Sequence, residues 1–158
     1  MSFINRGTPI DRYCDIHFTN FTPIGQAVVI NTPATINLTG YTTSYSFMDG
    51  FTDLGGGSIR YDGTQEIFLI MFNYVFMSHN TGTSASIYIS ISINGVEDVN
   101  SRGLFIIGNN GVGHSVNYEY ITELNTNDVI TYNIIDNSRS ETISFQKFST
   151  TIKSLIQL

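Results

Sequence analysis

Apolar and polar positions alternate along this chain in short stretches, each closed by Gly, Asn, Asp or Pro. The clearest is Ala85 to Ile93, where Ala85, Ile87, Ile89, Ile91 and Ile93 interleave with Ser86, Tyr88, Ser90 and Ser92. A period of two means a strand with one face inward. Asn94-Gly95 follows, the strongest short hairpin signal, and Val96 to Val99 returns. His114 to Leu124 alternates in the same way. The pattern predicts further strands at 26–31, 34–38, 42–47, 58–61, 66–78, 104–107, 129–135 and 142–156. Asp62-Gly63 reads as a hairpin turn, and Asp49 to Gly57, with its triple glycine, reads as loop. About ten strands at spacings of about 8–12 residues predict an all-β sandwich. Residues 1–24 show no clear period and are expected to form an N-terminal arm, leaving 25–158 as one domain.

One strand breaks the alternation. From Glu66 to Ser78 both parities are apolar: Ile67, Leu69, Met71, Val75 and Met77 on one, Phe68, Ile70, Phe72, Tyr74 and Phe76 on the other. An antiparallel strand ordinarily buries one face. In a two-layer sandwich the second face needs a partner, so this strand predicts self-association. Phe68, Phe72, Tyr74 and Phe76, joined by Tyr132 and Ile152, are the candidate trimer-interface or core residues; the pattern does not decide which parity meets the core.

Composition sharpens the picture. Charged residues are 13 % of the chain, against about 25 % in ordinary globular proteins. So few solubilising groups again suggest a covered surface. The net charge is −6, and the seven Lys and Arg are scattered, which argues against nucleic acid and anionic membranes as partners. The most apolar run, Ile67 to Met77, is shorter than the about 20 residues of a membrane helix. The start of the chain lacks the apolar core of a signal peptide, so synthesis in a reducing cytosol is expected. With the single Cys14, no intrachain disulfide is possible.

Candidate chemistry is sparse. His17, His79 and His114 show no metal-ligand spacing. Asp49, Asp53, Asp62, Glu97 and Asp98 lie at turns without the alternating acids of a calcium loop. Gly108 to Gly113 lacks the Gly-Lys-Ser/Thr ending of a phosphate loop, and no Gly-x-Ser-x-Gly elbow exists. No catalytic residue, metal or cofactor is implied, and the expectation is a protein that is not an enzyme. Tyr61, His79, Asn109 and Asn110 are the loop residues to which a glycan- or receptor-binding role would fall.

Three stretches carry a family resemblance: Phe68-Leu-Ile-Met-Phe-Asn-Tyr-Val-Phe76, Ser90-Ile-Ser-Ile-Asn-Gly-Val-Glu97 and Thr122-Glu-Leu-Asn-Thr-Asn-Asp-Val-Ile-Thr-Tyr132. They resemble the inner apolar strand, the Asn-Gly hairpin and the Gly-Asp turn of the TNF/C1q-like jelly roll, and especially its virus-borne versions. Asn127 stands where the family usually has Gly, and Asn tolerates the left-handed backbone that turn needs. The closing Ile152 to Leu158 is similar to the family's final strand. The resemblance implies a ten-stranded jelly roll and a homotrimer packed through apolar strands around a threefold axis. Lacking a collagen-like repeat, the chain fits a virion component (minor capsid, cementing or fibre-head), assembled in host cytoplasm. Other capsid proteins or a host receptor or glycan are the further partners expected.

Overall fold

The computed structural model describes residues 12–79, 82–108 and 114–157, with the side chains of 21–24, 73–79, 156 and 157 left aside. Its strands in chain order are β1 (Tyr13–Val28), β2 (Ala34–Thr35), β3 (Thr42–Asp49), β4 (Phe51–Gly55), β5 (Ser58–Tyr61), β6 (Glu66–His79), β7 (Ala85–Ile93), β8 (Val96–Glu97), β9 (Gly103–Ile107), β10 (His114–Leu124), β11 (Val129–Asp136) and β12 (Glu141–Gln157). They form two sheets. One has the order β10-β6-β12-β1-β3; the other runs β4-β5-β11-β7-β8, with β2 on β11 and β9 on β7. Every paired strand is antiparallel.

The sheets meet through aromatic rings. Phe72 and Phe148 of the first sheet pack against Tyr132 of the second, with centroids 5.4 Å and 4.7 Å from the tyrosine ring. Phe68 lies 4.8 Å from Tyr61 and 5.5 Å from Phe51. Such pairs add about 0.5–1.5 kcal/mol each to the area they bury. Ile70, Ile87, Ile89, Ile91, Ile134, Leu124 and Ile152 fill the space between. The isoleucines of β7 all face inward, as their alternation requires.

Three features depart from the sequence reading. Residues 13–24, expected in an arm, belong to β1, a central strand between β12 and β3. Cys14, Ile16 and Phe18 are buried in the core, so the strand does alternate. Cys14, Ile16 and Phe18 alternate with Asp15, His17 and Thr19 in a regular period of two, which a register shift between Thr19 and Ile24 interrupts. Asp49 to Gly57 is a hairpin rather than a loop: Gly55, Gly56 and Gly57, at φ of 86°, 63° and 92°, make the tight reversal from β4 to β5. Asp62-Gly63 does not close a hairpin, because β5 and β6 lie in different sheets. The predicted left-handed turn residue is present, with Asn127 at φ 71°.

Candidate functional site: the outer face of the five-stranded sheet

The sandwich core uses one parity of β6. Phe68, Ile70 and Phe72 are buried, while Ile67, Leu69 and Met71 are half-buried on the other face. Cross-strand registry defines what surrounds them. One row reads Glu119, Met71, Thr151, Asp15 and Phe47; the next reads Ile121, Leu69, Lys153 and Tyr13. Ile121 is 57 % exposed and Leu155 43 %. Leu69, Glu119, Tyr120 and Ile121 line a shallow depression of about 350 Å³. The face therefore has an apolar middle, an acidic edge on β10, and Lys153 on the central strand.

A polar array occupies the same face nearer β1. Ser149 Oγ lies 2.6 Å from His17 Nδ1, and His17 Nε2 lies 3.3 Å from Asp15 Oδ2. Thr151 Oγ1 donates to Asp15 Oδ1 at 2.9 Å. The order Ser–His–Asp is that of a nucleophile, its base and an orienting acid. Ser149, however, is 2 % exposed and mid-strand, with β12 paired on one side to β1 and on the other to β6. Its neighbouring N–H groups are committed to those ladders, which leaves no converging donors for an oxyanion. What the array does is satisfy polar groups in a face otherwise lined by Leu69 and Met71.

The expected facing set divides. Phe68, Phe72, Tyr132 and Ile152 are all core residues. The side chains of Tyr74, Phe76 and His79, and residues Asn109 and Asn110, lie outside the described residues. Tyr61 is no loop residue: it ends β5, is 0 % exposed, and packs on Phe68. Burial, and then the Glu66 carboxylate, push its hydroxyl up to about 12. Sequence reasoning weighed His17 only as a metal ligand and missed Asp15, Ser149 and Thr151, since the four meet only through the β1–β12 pairing.

The acids at the turns are occupied by protein donors. Glu97 takes two hydrogen bonds from Arg102, at 2.9 and 2.8 Å, and Asp98 accepts from Tyr120 at 2.7 Å. Asp62 accepts from Arg60 and Thr52, and Asp53 from Tyr45. Among the described residues no cluster of His, Cys, Asp or Glu is arranged to hold a metal ion. No helix among them is long and apolar enough to cross a membrane.

Two antiparallel sheets in this order, with polar turns at both ends and aromatic layers between, make the chain a TNF/C1q-like jelly roll. Among solved structures it is similar to Eiger TNF from S. frugiperda, with a TM-score of 0.55, 11 % identity, and coverage of 93 % of this chain and 95 % of that one. The PRD1 vertex protein P5 gives a TM-score of 0.55 at 12 % identity, covering 92 % and 97 % of the two chains. The globular domain of zebrafish complement 1qA gives 0.54 at 9 % identity, covering 93 % and 98 %. No family model matches the sequence, and no curated protein matches it.

Proposed function

We propose that this chain is a non-enzymatic structural protein that assembles with copies of itself, as a homotrimer, through the outer face of the five-stranded sheet, and serves in a virion. The observation that carries the reading is the uncovered apolar row of Leu69 and Ile121, with Met71 and Leu155 beside it. A stable interface buries roughly 800 Å² per partner, with an apolar centre inside a polar rim. The virion role draws its support from the likeness in fold to the PRD1 vertex protein P5. Other capsid proteins are the further partners of such a component.

Sedimentation velocity at micromolar concentration tests the assembly. The wild-type chain is expected at three times its 17.6 kDa mass. Leu69→Asp, which places a carboxylate in the apolar row, is expected to sediment as a folded monomer. A wild-type monomer at that concentration would sink the reading.

A further inference from the structure

The outer sheet face carries opposite charges in separate places. The chain has two lysines, Lys147 and Lys153, and both stand on β12. Lys153 is exposed and aligned with Leu69, in the middle of the face. Glu119 and Glu123 are exposed on β10, the edge strand, on either side of Ile121. β10 and β12 are separated by β6, so their backbones are about 10 Å apart at about 4.8 Å per strand. Among the described residues, no ion pair or hydrogen bond engages the side chain of Lys153 or Glu119. The other exposed cations differ: Arg60 holds Asp62, and Arg102 holds Glu97.

We infer that Lys153 of one copy pairs with Glu119 of the next, as the charge lock that sets the register of the assembly. This rests on the self-association proposed above and adds to it a named contact. The occupant of the face is a second copy because the edge of one copy complements the centre of another: an acidic edge, a basic centre, and the apolar Ile121 and Leu69 between them. Copies each carrying −6 repel at long range, so a local attraction at the seam is needed to orient the approach. Each copy offers one edge and one centre, so a closed ring satisfies every pair once.

Charge reversal tests the lock. Lys153→Glu and Glu119→Lys are each expected to raise the dissociation constant by about tenfold or more, measured by sedimentation across a concentration series. The double variant Lys153→Glu/Glu119→Lys is expected to return to within a few-fold of wild type. Both sites are exposed strand positions, and circular dichroism confirms that each variant is folded. Single variants that assemble like wild type, or a double variant no better than the singles, would overturn the lock and leave the assembly standing. A monomeric wild type would instead remove the assembly on which the lock rests.

Discussion

Cys14 shows how a single side chain is set by its position. Its neighbour Asp15 faces outward into the polar array, whereas Cys14 itself is buried beneath β1. Burial first, and then the charges of Asp15 and Asp53, push its thiol up to about 12. The thiolate is the reactive species, so Cys14 is inert at neutral pH. A disulfide reagent at pH 8 is expected to modify it only as fast as the protein unfolds, and within seconds in denaturant. Rapid modification of the native protein would show that β1 opens locally. His17 and Ser149 belong to the same scale: their 2.6 Å contact satisfies a hydroxyl that the strand would otherwise bury.

At the scale of elements, the reversal from β11 to β12 depends on one carboxylate. Asp136 Oδ1 accepts from Ser138 N at 2.7 Å, Ser138 Oγ at 2.8 Å and Arg139 N at 2.9 Å. This is the local side-chain turn that Asp favours. Burial raises the Asp136 pKa, but the N–H groups of Arg139 and Ser138 and the Ser138 hydroxyl outweigh it, and the net shift is downward. Asp136→Ala is expected to cost about 1–3 kcal/mol, because it strands those donors. A depressed carboxylate contributes its full stability above the unfolded value of 3.8 and loses it as pH falls through the lower folded value. The gap between wild type and variant in thermal melts therefore holds from pH 7 to about 4 and narrows below it. A gap that closed already at pH 6 would contradict this account.

The whole molecule is a two-sheet sandwich, and the proposed assembly covers the outer face of its five-stranded sheet. If assembly covers it, folding and association are linked, and stability depends on protein concentration. The thermal midpoint is expected to rise by roughly 2–4 °C per tenfold increase in concentration. A midpoint independent of concentration would mean that the face is stable in water. Against this linkage, Leu69→Asp should flatten the dependence without removing the core, since Leu69 lies on the opposite parity from Phe68 and Ile70.

The strands with a clean period were legible from the residues: β7, β10 and β11 begin and end close to where their alternation does. So were the turn at Asn127 and the two-faced character of β6, because each follows from local chemistry. For β1 the alternation of Cys14, Ile16 and Phe18 with Asp15, His17 and Thr19 stands in the sequence, but its partners Ser149 and Thr151 do not, because they lie far away in the chain. The sheet that each strand joins was also beyond the sequence: Asp62-Gly63 looks the same in a hairpin and in a crossover. The tertiary structure decided the rest. It assigned Phe68 and Phe72 to the core, withdrew Tyr61 from the surface, and left Leu69, Met71, Ile121 and Lys153 on the outer face of the five-stranded sheet. Alternation along a strand says that two faces exist; only packing against a second sheet says which of them is left for a partner.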